Sequence, residues 1–178
     1  MYPLSALKYN KGSSLCSRYT AGASFFPNLP DPGQVIDADF NPILWTLISP
    51  DAGPVFDIDP EDTAKLVCLI GGVYQVVCNL NTPSTDSSTY VHAVLKRLVG
   101  GVEDDSTQFF SWAKIQLEGD GPSGYAQSVR MVGYMAFDAG DVLVASMSST
   151  QGSHVLGIAQ ENSSSIFLRR LGGAPGPG

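Results

Sequence analysis

The stretch that decides the fold is Gly133-Tyr-Met-Ala-Phe137-Asp-Ala-Gly140-Asp141-Val-Leu-Val-Ala145. On both sides of its Asp-Ala-Gly-Asp centre, side chains alternate with a period of two, which is typical of β-strands. Gly140 tolerates the positive φ that a tight turn needs, and Asp141 can cap such a turn with its carboxylate. The segment therefore predicts two neighbouring strands of one sheet joined by a short turn.

The same period of two recurs in both directions from this stretch, and polar turn residues separate the runs. The runs that alternate are residues 73–80, 91–99, 109–117, 128–137, 142–147 and 166–171. Short strands at regular spacing predict an antiparallel sandwich or barrel. No segment has the spacing of an amphipathic helix of normal length.

Several of these strands carry large apolar side chains on both faces. Val132 and Tyr134 lie opposite Met131 and Met135, and the run around Trp112 has the same two-sided character. A sheet in a two-layer sandwich has only one face toward the core. Charged residues are only 15% of the chain, against roughly 25% in an average soluble domain. We therefore expect another subunit to cover the second face.

The N-terminal third differs from the rest, because residues 1–60 hold most of the twelve prolines. Proline has no backbone donor and a fixed φ, so this region cannot be central sheet throughout. We expect an extended Pro-rich arm over residues 1–50 with one short strand at 43–48. A domain over residues 51–171 and a flexible tail over 172–178 follow. Residues 59–62 fit either one helical turn or a plain turn.

Charge and cysteine usage exclude several classes of partner. The net charge is −7, whereas nucleic acids and anionic membranes need a positive footprint. We expect no signal peptide, because the first ten residues have neither an apolar h-region nor a cationic n-region. We expect no membrane span, because no run of about 18 apolar residues exists. Cys16, Cys68 and Cys78 match no zinc pattern. Cys68 and Cys78 are interpreted as buried free thiols, with a bridge between them as the alternative.

Catalytic and metal-binding patterns are not found. His92 and His154 are the only histidines, and neither lies in a motif for a general base or a metal. The acidic run 57–62 lacks the sixth-position glycine of a calcium loop, and Cys68 stands where the bidentate glutamate is needed. That run and the acidic run 103–105 are interpreted as solvated turns. We expect no cofactor, no metal and no enzyme activity; a cupin-like enzyme would need clustered histidines.

Three pieces in order resemble the jelly rolls of the C1q and tumour-necrosis-factor (TNF) family. They are Gly71-Gly-Val-Tyr74, the 133–145 stretch, and Ser163-Ser-Ser-Ile-Phe167. The resemblance covers about residues 55–171. It implies an all-β antiparallel jelly-roll sandwich whose inner sheet faces a threefold axis.

The resemblance also implies roles for individual residues. The residues expected to face the axis are Tyr74 and Phe167, with Val76 and Tyr134 as further candidates. The residues expected to shape turns are Gly72, Gly140 and Asp141. Arg169 and Arg170 stand where C1q members usually have glycine, so near an axis they need partners or solvent.

These expectations lead to a non-enzymatic, homotrimeric structural protein made in the host cytoplasm and carried on a virion. It would decorate a virus particle or project from it as a spike or head fibre. Residues 1–50 would anchor the trimer to the capsid, without contact to nucleic acid or membrane. The alternative is a soluble C1q/TNF-like ligand that binds a receptor or a glycan.

Overall fold

The computed structural model describes residues 22–27, 33–51, 55–82, 89–115, 127–150, 154–157 and 164–172. Within these ranges the chain forms strands and turns but no helix. The strands are β1 (Gly22–Pro27), β2 (Gly33–Ile36), β3 (Asn41–Pro42), β4 (Trp45–Asp51), β5 (Phe56–Ile58), β6 (Lys65–Cys68), β7 (Gly72–Thr82), β8 (Thr89–Val99), β9 (Val102–Ile115), β10 (Gln127–Phe137), β11 (Val142–Ser149), β12 (His154–Gly157) and β13 (Ser165–Gly172).

The strands form two large antiparallel sheets and one small one. The five-stranded sheet has the order β10-β7-β13-β1-β4. The six-stranded sheet runs β5-β6-β11-β8-β9, and β3 also pairs with β11. β12 and β2 form a separate pair. The all-β antiparallel sandwich expected from the periodicity is confirmed, because every described strand pair is antiparallel and the two large sheets enclose one core.

The core lies between the two large sheets and follows directly from the alternation. Along β7, every second residue from Tyr74 to Leu80 is buried in the core, and β11 buries Leu143, Ala145 and Met147. Phe56 packs edge-on against Tyr74 and Phe137, with ring centroids 5.1 Å apart in both pairs. These rings therefore join β5, β7 and β10 across the sandwich.

The structure corrects the expectation that residues 1–50 form an arm outside the domain. β1 lies inside the five-stranded sheet, between β13 and β4, and Phe25 and Trp45 are fully buried in the core. The prolines are tolerated because Pro27 ends β1 and Pro50 lies on β4, the last strand of its sheet. The domain therefore includes Gly22. Residues 1–21, and the tail from residue 173, lie outside the described residues.

Candidate subunit interface

The outer face of the five-stranded sheet carries a continuous apolar row. Val132 on β10 lies opposite Val77 on β7, and Val77 lies opposite Phe167 on β13. The neighbours of Phe167 along its strand, Ile166 and Leu168, are buried in the core. Because side chains alternate across a strand, Phe167 points away from the core. The row therefore crosses three adjacent strands on the side that the core does not use.

A second row lies beside the first on the same face. Tyr134 on β10 lies opposite Gln75 on β7, and Gln75 lies opposite Arg169 on β13. Arg169 in turn lies opposite Gly22 on β1. A Cβ atom on Gly22 would lie 3.6 Å from the Phe167 ring, so that ring lies against the β1 backbone. The face is therefore apolar along the first row, whereas the second row combines apolar, polar and charged residues.

Two of these side chains are strongly exposed in the single chain. Tyr134 is 63% exposed and Val132 is 51% exposed. Val77 and Phe167, which belong to the same row as Val132, are each partly exposed. Exposed apolar residues that stand alone are ordinary, but a contiguous group marks an interaction surface. We call the set Val77, Val132, Tyr134 and Phe167 the outer apolar face.

The expectation for Tyr74 and Val76 is corrected, because both side chains point into the core of their own subunit. Each is fully buried. The Tyr74 hydroxyl donates a hydrogen bond to the carbonyl oxygen of Ile70, and burial raises its pKa. They occupy the opposite face of β7 from Val77. Of the four residues expected at the axis, only Tyr134 and Phe167 therefore lie on the outer apolar face.

The two consecutive arginines of β13 lie on opposite faces of their strand. Arg170 donates two hydrogen bonds to the carbonyl oxygen of Gly71, from Nε at 3.2 Å and Nη2 at 2.8 Å. These two hydrogen bonds hold the loop before β7 in place. Arg169 belongs to the mixed row of the outer face, opposite Gln75. Only Arg169 therefore needs a partner or solvent near a threefold axis, because Arg170 points to the other face of the strand.

The β10–β11 turn places a charged cluster at one end of the sandwich. Gly140 has a φ of +94°, and Asp141 accepts a hydrogen bond from the Asp138 backbone at 2.7 Å. Asp141 Oδ2 also binds Arg97 of β8, at 2.8 Å from Nε and 2.6 Å from Nη2. The turn joins β10 of the five-stranded sheet to β11 of the six-stranded sheet, so the expectation that it links two neighbouring strands of one sheet is wrong. Gly72, in contrast, lies in no turn: it begins β7 opposite Phe137, which corrects its expected role.

The cysteines in the described ranges are free and buried. Cys68 and Cys78 form no disulfide, so the alternative of a bridge between them is wrong. Burial raises the pKa of Cys68 to about 11 and raises that of Cys78 further. Both thiols are therefore protonated near neutral pH, and neither is suited to nucleophilic chemistry. Cys16 lies outside the described residues.

The acidic run 57–62 serves a turn and an ion pair, whereas residues 103–105 lie on β9 and not in a turn as expected. Asp59 Oδ1 accepts the Glu61 backbone N–H at 2.9 Å, and Asp62 pairs with Lys65 at 3.1 Å. Residues 59–62 therefore form a plain turn, one of the two alternatives for that segment. Among the described residues, no three histidines, cysteines or carboxylates come together as a metal site. His92 is half-buried on β8.

No described segment is a helix of the length and hydropathy that a membrane span requires. This finding covers only the ranges given for the structure.

Comparison with known proteins shows the fold. No protein-family model matches the chain, and no curated protein matches it. Among solved structures, Eiger TNF from S. frugiperda is similar at a TM-score of 0.62 and 18% identity, covering 90% of this chain and 98% of that one. Murine APRIL at pH 8.0 is similar at 0.59 and 13%, covering 84% of this chain and 98% of that one. The chain therefore has the TNF-like jelly-roll fold.

Proposed function

We propose that this protein is a non-enzymatic homotrimer that acts by binding, and that its subunits meet through the outer apolar face. The observation that carries the proposal is the exposure of Tyr134 and Val132, 63% and 51%, beside Val77 and Phe167. A single chain leaves this face in water. A second copy that covers it removes the apolar surface from water, which favours association at about 25 cal/mol per Å² buried.

Three further observations support a second copy as the occupant. The face belongs to the sheet that bears the last strand, which the resemblance to the C1q and TNF family directs toward a threefold axis. The whole sandwich is similar to Eiger TNF. The low charged fraction of 15% also suits a chain with part of its surface in a subunit contact.

Light scattering on the purified protein tests the proposal. We expect three times the chain mass of 18.8 kDa for the wild type. Val132→Asp should give single chains, because a trimer would bury three unpaired carboxylates at several kcal/mol each. Val102→Asp is the matched control: Val102 is 71% exposed, and it lies at the β8–β9 hairpin rather than on this face.

The measured masses distinguish the proposed interface from the alternatives. Single chains for Val132→Asp and trimers for Val102→Asp support the interface. A monomeric wild type refutes the trimer, and a Val132→Asp protein that is still trimeric refutes the placement of the interface.

What the trimer binds has two candidate answers. Decoration of a virus particle is supported by the acidic net charge of −7 and the proline-rich N-terminal region. Strands β1 and β4 of the sandwich already use Gly22–Pro27 and Trp45–Asp51, so an N-terminal anchor is best placed in residues 1–21. A soluble ligand for a receptor or glycan is the alternative, and the fold similarity to Eiger TNF favours it.

Deletion of residues 2–20 distinguishes these candidates. If the trimer is a decoration protein, the truncated trimer should no longer sediment with particles that retain the full-length protein. If it is a soluble ligand, full-length and truncated trimers should both stay in the supernatant.

A further inference from the structure

The outer face of the six-stranded sheet holds a groove of about 220 Å³. It lies on the opposite side of the sandwich from the outer apolar face. The pairing of three strands places the residues at the bottom of this groove. Val144 on β11 lies between Lys65 on β6 and Lys96 on β8. The preceding residue of β11, Leu143, points into the core, so these three side chains point outward. The groove is thus an apolar strip flanked by two lysines.

Both lysines already have carboxylate partners at the groove. Lys65 Nζ lies 3.1 Å from Asp62 Oδ2, and Lys96 Nζ lies 2.9 Å from each oxygen of the Glu103 carboxylate. Two positive and two negative groups make the groove formally neutral. The chain's net charge of −7 also opposes an anionic ligand. The groove is therefore suited to a neutral ligand.

Each ion pair presents ammonium donors beside carboxylate acceptors. A hydroxyl group both donates and accepts hydrogen bonds, so it can satisfy both partners of such a pair at once. The pairs lie on different strands with Val144 between them. A neutral ligand with hydroxyl groups around an apolar centre would match this arrangement.

Phe40 supplies an aromatic surface at the same groove. It lines the groove and is 43% exposed, so part of its ring is open to a ligand. Leu98 adds a further apolar wall. Aromatic and apolar walls with a few well-placed polar groups are the usual composition of small-molecule sites.

We propose that this groove binds one neutral sugar ring, with an apolar C–H face of the ring against Phe40 and its hydroxyls on the two ion pairs. The volume is below the roughly 300–1,000 Å³ of pockets for drug-sized ligands, which limits the site to a single ring. The proposal does not depend on the trimer, because every residue it uses lies on the six-stranded sheet or its connections.

Saturation-transfer NMR on the full chain tests the proposal with the methyl glycosides of glucose, galactose and mannose as probes. Sialic acid is the anionic comparator, and a neutral phenylalanine dipeptide is the non-sugar comparator. We expect transfer to the C–H protons of at least one hexoside, with a dissociation constant of roughly 1 mM, since a ligand with so few atoms can gain only a little binding free energy. Neither comparator should match it.

Three variants localise the effect. Phe40→Ala should weaken binding about tenfold through loss of the aromatic surface, and Phe40→Trp should retain it. Leu69→Ala is the matched control, since Leu69 is 42% exposed and lies in the loop before β7. Circular dichroism checks that each variant is folded. Absence of transfer from all three hexosides, equal binding by Phe40→Ala, or preference for either comparator would overturn the proposal.

Discussion

The contact between Arg97 and Asp141 is expected to be the most costly ion pair to break in the described part of the chain. The Arg97 side chain is 15% exposed and that of Asp141 is 6% exposed. A hydrogen bond from Arg97 Nε and an ion-pair contact from Nη2 join them, and Asp141 also caps the turn by accepting the Asp138 N–H. Asp141→Asn keeps the size of the side chain and one oxygen acceptor, while it removes the negative charge and replaces the second oxygen with an NH2 group.

The expected loss can be worked from these contacts. Removing one partner of a buried ion pair costs about 3–5 kcal/mol, because the other charge stays buried. Arg97 retains Asp104 at 3.7 Å and Asp138 at 3.8 Å, and its guanidinium lies 5.9 Å from the Phe137 ring centre. These contacts place the loss at the lower end, about 3 kcal/mol.

Urea unfolding at one fixed protein concentration measures this loss, since association couples stability to concentration. With a slope near 2 kcal/mol/M, the midpoint should fall by roughly 1.5 M. Glu103→Gln is the control: its carboxylate has two 2.9 Å bonds to Lys96, but its side chain is 50% exposed. That variant should lose less than about 1 kcal/mol. Equal losses in the two variants would refute the argument from burial.

Three other predictions concern β1, the reactivity of the buried thiols and the pH dependence of stability. Phe25→Ala should lower the free energy of unfolding by about 3–5 kcal/mol, because Phe25 is fully buried, while half-buried Ser24→Ala should lose under about 1 kcal/mol; a thermal melt of Phe25→Ala that matches the wild type would contradict the place of β1 in the core. In a Cys16→Ser background, Ellman's reagent should react with Cys68 and Cys78 only on unfolding, and fast reaction of the native protein would disprove their burial. Because the pKa of Cys68 rises from 9.0 to about 11 on folding, its contribution to stability is complete below pH 9 and is lost as the pH rises toward 11.

The sequence predicts the strands well because their signal is local. A period of two and the turn residues between runs identify β7, β8, β10, β11 and β13 without any tertiary information. The tight turn at Gly140 has the same local origin, since a positive φ favours glycine. The family resemblance then adds the arrangement of these strands into a jelly roll.

The direction of each face is not a local property. On β7 the set with Tyr74 and Val76 is wholly apolar, whereas the other set holds Val73 and Val77 together with two amides, Gln75 and Asn79. The two amides favour the Tyr74 set as the core side, but Val73 and Val77 weaken that signal, and the family resemblance directs Tyr74 to the axis instead. Only the contact of Tyr74 with Phe56 and Phe137 decides it, and those partners come from β5 and β10.

The strand expected at 43–48 overlaps β4, but β1 is not predicted from the sequence, for a related reason. β1 is six residues long and ends at a proline, so its own sequence favours an irregular segment. Its place in the sheet comes from pairing with β13 and β4, which are far from it along the chain. Tertiary pairing here overrides a weak local preference. The ion pairs of Arg97 with Asp104, Asp138 and Asp141 could not be predicted for the same reason, because these partners come from β9 and from the β10–β11 turn.

The two outer faces of the sandwich differ in chemistry, and this difference divides the proposed roles. The five-stranded sheet presents apolar side chains from Val132 to Phe167 in one row, which water solvates poorly and another subunit can cover. The six-stranded sheet presents Lys65 and Lys96 with their carboxylate partners, which suit a face that remains in water. A trimer built on the first face leaves the second face turned outward in all three subunits. Three copies of a site with millimolar affinity would then act together on a multivalent glycan surface, so a site too weak for one chain could still hold a trimer.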